Sequence, residues 1–193
     1  DQQGYVPLEF SNISRVIVDP DNSDIVLVST YGSRNTGSRI YRSDDGGSTW
    51  NERYSIAYAN SITGVQQIIS APNDFNIQYA AVNGIGVLRS EDGGISWSNP
   101  GGIGLASTVP YDNEDGIMSS GAGGTFGRLE LAVSHQNPNT VYAGVDGDDA
   151  SYLKVSYDGG TTWNMLRNDD NTEDDWLSSL GWWGNTITLN PFN

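Results

Sequence analysis

The sequence contains no cysteine and a single histidine, and both deficits remove classes of site. Without cysteine the chain forms no disulfide and no Cys-ligated zinc site, so redox arguments leave its compartment open. A single histidine gives poor support to a Ser/His/Asp triad or to a multi-histidine metal site. His135 stands in an Asn- and Pro-rich turn sequence, and we predict that it is a surface turn residue.

Basic residues are also scarce, since nine Lys and Arg stand against 24 Asp and Glu for a formal net charge of −15. This charge repels nucleic acid and anionic membrane surfaces, which argues against both as partners. No run of about 18 apolar residues predicts a membrane span. No basic, apolar leader is recognisable, so any signal peptide has been removed or lies upstream. Few Lys with many Gly, Asn, Ser and Thr are typical of an exported bacterial protein, extracellular or at the cell surface.

One octapeptide occurs three times, at 43–50, 90–97 and 156–163, with the pattern Ser-x-Asp-x-Gly-x-(Ser/Thr)-Trp. Glycine allows positive φ, and a short Asp side chain bonds the backbone two residues on, so the pattern predicts a hairpin turn capped by its own side chains. The Trp then anchors the next strand in an apolar layer. Three copies indicate an internal repeat that sets the fold. The pattern residues are Ser43, Asp45, Gly47, Trp50, Ser90, Asp92, Gly94, Trp97, Ser156, Asp158, Gly160 and Trp163.

The octapeptide resembles the Asp-box, or BNR repeat, of sialidases, sortilin-type receptors and two-propeller xyloglucan hydrolases, which are all β-propellers. A second element, an apolar strand followed by an Asp/Asn/Pro turn, precedes each copy at 16–22, 68–74 and 131–139 and starts again at 187–193. The resemblance implies an all-β fold of four-stranded antiparallel blades. It implies little about function, because Asp-boxes occur in hydrolases and in proteins that only bind.

The spacing of the repeats predicts how many blades the chain holds. The turn prolines at 20, 72, 138 and 191 are 52, 66 and 53 residues apart. Propellers usually close with about four to eight blades. We therefore predict a partial propeller, completed by the remainder of the propeller in the same or another chain. The predicted blades are approximately 12–54, 64–98 and 127–166, with the start of a fourth blade at 186–193.

Meander geometry predicts where a site would lie. The first strand of each blade is expected to be innermost, because residues such as Val16, Ile17 and Val18 are apolar in succession, as burial on both faces requires. The Pro turns and the octapeptides then share one rim. The long links at 55–63, 98–126 and 167–185 lie at the opposite rim. Loops longer than about 12 to 15 residues are usually functional or disordered. A site is expected on the face away from the octapeptides.

The repeated carboxylates Asp45, Asp92 and Asp158 invite assignment as metal ligands or catalytic acids. A turn needed in every blade is a scaffold device, however, whereas a catalytic centre is needed once. We predict a structural role for them.

The second long link contains Tyr111, Asp112, Glu114 and Asp115. Paired carboxylates beside a Tyr suit glycoside hydrolysis, in which one acid protonates the leaving oxygen and another acts as base or nucleophile. The same oxygens suit calcium, and a polar acidic loop is also often simply solvated. All three interpretations stay open.

The third long link is the most acidic stretch of the chain. Its carboxylates either repel one another or are neutralised by a cation such as calcium. The tryptophans that follow either stack on sugar rings or cover the start of the next inner strand. The candidate calcium ligands are Asp169, Asp170, Glu173, Asp174 and Asp175, and the candidate stacking residues are Trp176, Trp182 and Trp183.

Arg128 opens an inner strand and is predicted to point toward the central channel, where it would bind ligand. Arg15 matches it in repeat position, and Gln66 or Gln67 takes that place in the second blade. A sialidase-like site needs three arginines, so the sequence disfavours sialidase activity.

These observations favour a non-catalytic extracellular or cell-surface module that binds a protein or a glycan and requires no cofactor, with calcium as a candidate ion. The competing hypothesis is a fragment of a glycoside hydrolase acting on a polysaccharide, nearer to the xyloglucan hydrolases than to the sialidases. A hydrolase is expected to present two carboxylates about 5 to 10 Å apart in a sugar-sized cleft. A structural spacer would present no cleft.

Overall fold

A computed structural model of the chain describes residues 12–32, 37–56, 64–83, 85–100, 128–146, 151–168 and 185–190. Regular structure within these ranges is entirely β-strand, and none of it forms a helix able to cross a membrane. The strands are β1 (Ile13–Val18), β2 (Val26–Thr30), β3 (Ser38–Ser43), β4 (Asn51–Ile56), β5 (Gly64–Ala71), β6 (Asp74–Asn83), β7 (Gly86–Ser90), β8 (Leu129–Val133), β9 (Val141–Asp146), β10 (Ser151–Ser156) and β11 (Asn164–Asn168).

The strands form three antiparallel sheets, in each of which sequence neighbours are paired. Strands β1 to β4 form the first blade, β5 to β7 the second and β8 to β11 the third. Consecutive blades pack against each other, with β1 against β5 and β5 against β8. The predicted fold class is confirmed: the chain is an all-β, partial β-propeller.

Three strands of the second blade lie within the described residues, and the predicted fourth strand is represented there by a single bridge. The outer position of this blade holds one isolated bridge between Arg89 and Ser98, whose backbone N–H groups each donate to the other residue's carbonyl at 2.8 and 2.9 Å. Pro100 follows two residues later. Proline lacks the N–H that a ladder bond requires, so Pro100 cannot donate to one, and residues 101–127 lie outside the described part of the chain.

Two apolar cores lie between consecutive blades. The core between the first and second blades is built from Leu27, Ile40, Val65, Ile68, Ala80, Val82 and Leu88. The core between the second and third includes Tyr79, Val87, Leu129, Leu131, Val141 and Trp163. Full burial of an aliphatic or aromatic side chain contributes about 1.5–3 kcal/mol, so these cores hold the blades together.

The glycine turn of the second blade packs directly against the first blade. A Cβ on Gly94 would lie 2.1 Å from Leu27 Cδ2, and the φ of Gly94 is +85°, so only glycine fits. Arg42 also donates from Nη1 to the carbonyl of Gly93. By contrast, a Cβ on Gly47 would have as its nearest neighbour its own Trp50, at 3.4 Å. The turns are therefore parts of the interfaces between blades.

The first strand of each blade lies next to the propeller axis, as predicted, since these strands contact one another in succession. Strand register aligns Val16 with Ile68 and Leu131. Ile68 and Leu131 are buried against the preceding blade, but Val16 is 51% exposed. The expectation that β1 is buried on both faces is wrong, because in the described part of the chain no blade packs on its outer side.

The Pro turns and the octapeptide turns share a rim, as predicted. In each blade the first turn glycine donates its backbone N–H to a carbonyl in the Pro turn or, in the second blade, at the start of the strand that follows it. The pairs are Gly46 with Asp24 at 2.9 Å, Gly93 with Asn76 at 3.0 Å and Gly159 with Asn139 at 2.9 Å.

Residues 185–190 contain no strand. Asn185 is buried and donates from Nδ2 to the carbonyls of Arg128 at 2.9 Å and Gly144 at 2.8 Å. The segment therefore packs on the third blade, on the face that would meet a following blade. The fourth blade at 186–193 stays a prediction.

Candidate functional site at the propeller axis

The three octapeptide turns have one hydrogen-bond pattern. In the first, Ser43 Oγ accepts from the Gly47 N–H at 2.8 Å and donates to Asp45 Oδ1 at 2.7 Å. The second and third turns repeat both bonds, each at 2.8 Å. Both central glycines of every turn have positive φ, from 67° to 92°. Each turn is thus held by its own side chains.

Both oxygens of each turn carboxylate accept hydrogen bonds from the same turn. Asp45 Oδ1 accepts from the Thr49 N–H at 2.7 Å and Oδ2 from the Thr49 hydroxyl at 2.6 Å. These bonds, led by that of the hydroxyl, lower the pKa of Asp45 to about 2. Burial raises the pKa of Asp92 and Asp158, but the hydrogen bonds they accept outweigh it and the net shift is downward. The structural role of these residues stays a prediction, and this geometry favours it.

Polar side chains from all three blades meet beside the axis. Strand register aligns Arg15 of β1, Gln67 of β5 and Glu130 of β8. Arg15 Nη2 lies 3.5 Å from Glu130 Oε2, and Gln67 exchanges hydrogen bonds with the backbone of Leu131 at 2.6 and 3.3 Å. We call Arg15, Gln67, Arg128 and Glu130 the axial cluster.

Arg128 belongs to the axial cluster, but not at the predicted repeat position. Its Nε donates to Glu130 Oε1 at 2.7 Å, and its Nη2 contacts the same oxygen. The register shifts by one residue at Ser14 in β1 and at Gln66 in β5, whereas β8 has no such shift. The predicted match of Arg15 with Arg128 is therefore wrong, and the residue that matches Arg15 is Glu130.

Glu130 is the cluster member that sequence reasoning missed. Its side chain is 3% exposed and contacts two guanidinium groups, as a buried carboxylate requires. The signal for it was an acidic residue in an otherwise apolar inner strand. Reading that signal needs the correct register, which depends on the two shifts.

Like Arg42, Lys154 is another buried charged residue that the sequence analysis did not single out. It occupies the position of Tyr41 and Leu88 in the other blades, which is an interior position. Burial lowers the pKa of Lys154 to about 8. The repeat alignment alone contains this signal, since the aligned residues are large and apolar.

Most of the predicted ligand-binding, catalytic and metal residues lie outside the described residues, and their assignments stay predictions. Arg128 is the described member of the ligand-binding set. His135, predicted as a surface turn residue, is exposed on the Pro-turn rim. Those outside are Tyr111, Asp112, Glu114, Asp115, Asp169, Asp170, Glu173, Asp174, Asp175, Trp176, Trp182 and Trp183. Among the residues that are described, no three His, Asp or Glu side chains are grouped to hold a metal ion.

Known proteins resemble this chain in sequence and in fold. The sequence is 33% identical over 141 residues to a xyloglucanase from a Paenibacillus species, with 70% of this chain and 12% of that protein covered. The chain is similar to part of a xyloglucanase. No family model matches it.

Two solved structures share the fold. A GH74 xyloglucanase from Xanthomonas campestris superposes with a TM-score of 0.54 and 20% identity, covering 80% of this chain and 23% of that one. A GH74 enzyme from Niastella koreensis superposes with a TM-score of 0.52 and 19% identity, and the match covers 82% of this chain and 23% of that one. At this identity the likeness shows the β-propeller fold alone. The chain spans less than a quarter of the length of each protein.

Proposed function

We propose that this chain is a segment of an exported Asp-box β-propeller protein and supplies a glycan-binding surface. The observation that carries the proposal is the 33% identity to a xyloglucanase over 141 residues. The octapeptide turns, with their shared bonding of Ser, Asp and Gly, support their assignment as Asp-boxes. Xyloglucan, a neutral glucan with side chains, is the first ligand to test.

A binding role without catalysis suits the turn carboxylates and the buried carboxylate of Glu130. The turn carboxylates accept bonds from their own turns, and Glu130 is enclosed by two arginines. Neither kind is free to donate a proton to a glycosidic oxygen or to attack a sugar carbon. The face opposite the octapeptide turns is the proposed sugar face, with Trp176, Trp182 and Trp183 as stacking residues.

Hydrolysis is the second candidate function, and the same sequence similarity favours it. It would require Asp112, Glu114 or Asp115 to supply the acid and the base or nucleophile. The acidic stretch 169–175 is proposed as a calcium site that orders the same face.

Calorimetric titration of the chain with a xyloglucan oligosaccharide, and with a mannan oligosaccharide as control, tests the binding role. We expect saturable binding of the first alone, lost in Trp182→Ala with Trp183→Ala. The matched control is Tyr157→Ala, an exposed aromatic on the turn rim whose loss is expected to leave binding unchanged. Absence of binding to both sugars would overturn the proposal.

A reducing-sugar assay on the same samples separates the two functions. Binding without release of reducing ends supports the binding module. Release that is abolished by Asp112→Asn, Glu114→Gln or Asp115→Asn supports the hydrolase. Repeating the titration with a chelator tests calcium, since a calcium-ordered face would lose affinity.

A further inference from the structure

The axial cluster carries more positive than negative charge. Arg15 and Arg128 contribute two guanidinium groups, and Glu130 contributes the one carboxylate of the cluster. The carboxylate side chain is 3% exposed, whereas the arginine side chains are 42% and 34% exposed. The charge that faces solvent is therefore positive, on a chain whose net charge is −15.

One donor of this cluster has no acceptor. Nε of Arg15 is buried and has no hydrogen-bond partner in the described part of the chain. Buried donors are nearly always paired with protein or with ordered solvent. The described residues therefore leave the hydrogen bonding of the Arg15 guanidinium incomplete, and the exposed part of this side chain is open to an acceptor from outside the chain.

The cluster lies where a ligand can approach the axis. The first strand of each blade runs toward the Pro turn, and the Pro turns share a rim with the octapeptide turns. Arg15 is near the start of β1, and Arg128 directly precedes β8. Both therefore lie toward the opposite rim, which is the face on which a site was predicted.

We propose that the axial cluster binds one oxyanion, a carboxylate or sulfate group, through the guanidinium groups of Arg15 and Arg128. Guanidinium presents a planar fork of donors that matches such a group and binds it more strongly than a neutral donor does. Glu130 orients both arginines and is itself closed to solvent, so it does not attract a cation. A free inorganic anion and the carboxylate of an acidic sugar satisfy the same chemistry. The proposal is independent of the binding of xyloglucan, which is neutral.

Calorimetric titration at constant ionic strength with sodium sulfate, sodium galacturonate and neutral galactose distinguishes a free inorganic anion from the carboxylate of an acidic sugar. We expect saturable binding of at least one anion and none of galactose. Binding of sulfate alone identifies a free inorganic anion as the ligand, and binding of galacturonate identifies the acidic group of a sugar. No saturable binding of either anion overturns the proposal and shows that solvent completes Arg15.

Variants locate the anion. Arg15→Lys keeps the charge but removes Nε–H and the fork, and we expect affinity to fall about tenfold. Arg53→Lys is the matched control: Arg53 also has a buried Nε without a partner and shares Asp44 with Arg42, but the Asp44 side chain is 51% exposed, so a negative charge faces solvent there and repels an anion. We expect Arg53→Lys to leave affinity unchanged. Equal losses in the two variants would overturn the assignment.

Glu130→Gln tests the same site through a change expected to strengthen anion binding rather than weaken it. Removing the carboxylate leaves two uncompensated guanidinium groups, so anion affinity is expected to rise several-fold. Weaker or unchanged binding in a folded Glu130→Gln protein overturns the proposal. If this variant does not fold, Arg128→Lys replaces it, with an expected loss similar to that of Arg15→Lys. Urea midpoints report folding for every variant.

Discussion

Ser43 shows how much one hydroxyl does in a turn. It is fully buried, accepts from the N–H groups of Gly47 at 2.8 Å and Asp45 at 3.2 Å, and donates to Asp45. All of these partners lie within four residues in the sequence. This is why the turn was predictable from the octapeptide alone.

We expect Ser43→Ala to lower the free energy of unfolding by about 1–3 kcal/mol, because it leaves the Gly47 N–H without its acceptor. Ser48→Ala, the same change at an exposed position of the same turn, is expected to stay within about 0.5 kcal/mol. Urea denaturation of both variants measures the difference. Equal losses would mean that the Ser43 hydroxyl does not hold the turn.

The lowered pKa of Asp45 makes a prediction about acid. The folded pKa of about 2 lies below the ordinary value of 3.8. The contribution of Asp45 to stability is therefore present above about pH 4 and is lost as the pH falls toward 2. Thr49→Val removes the main hydrogen bond, so the pKa of Asp45 is expected to rise toward 3.8. An NMR titration of the Asp45 carboxyl carbon measures both values, and a midpoint that Thr49→Val does not move would contradict the assigned cause.

Strands and blades depend on contacts that are distant in sequence. The Pro turns, the octapeptide turns and the strands between them were predictable from local pattern and repeat spacing. The register shifts at Ser14 and Gln66 were not, because a one-residue shift leaves little trace in composition. That is why Arg15 was aligned with Arg128 and why the buried role of Glu130 was missed.

Gly94 and Gly47 separate backbone strain from packing between blades. Both have positive φ, so alanine costs about 1–2 kcal/mol at either position. At Gly94 the new Cβ would also overlap Leu27 of the preceding blade, which adds about 1–3 kcal/mol. We expect Gly94→Ala to be the more destabilising variant in thermal unfolding. Equal melting temperatures would show that Leu27 moves aside without cost.

At the scale of the whole molecule, the first blade has a side on which no described blade packs. Ile13, Val16 and Val18 form an exposed apolar row at positions that are largely buried in the other blades. Repeat spacing predicted a partial propeller, but it does not specify which side chains the partial ring leaves uncovered.

The aligned residues Val16 and Ile68 test this interpretation. We expect Val16→Ser to change the stability of this chain by about 0.5 kcal/mol, since the side chain is already 51% exposed. Ile68→Ser is expected to cost about 2–5 kcal/mol, because it empties a buried site. Denaturant titration of each variant gives the comparison. In a longer protein with a blade packed on β1, the Val16 variant is expected to approach the Ile68 variant, and if it does not, another element covers this row.

Each blade packs against the glycine turn of the next, so protection of backbone amides from hydrogen exchange is expected to differ along the chain. Only the middle blade, among those described, has a neighbour on both faces. Local unfolding is therefore expected to start at the flanking blades, which have one interface each, and to reach the middle blade last. Backbone amides of β6 are expected to exchange with deuterium more slowly than those of β2, although both are second strands of their blades.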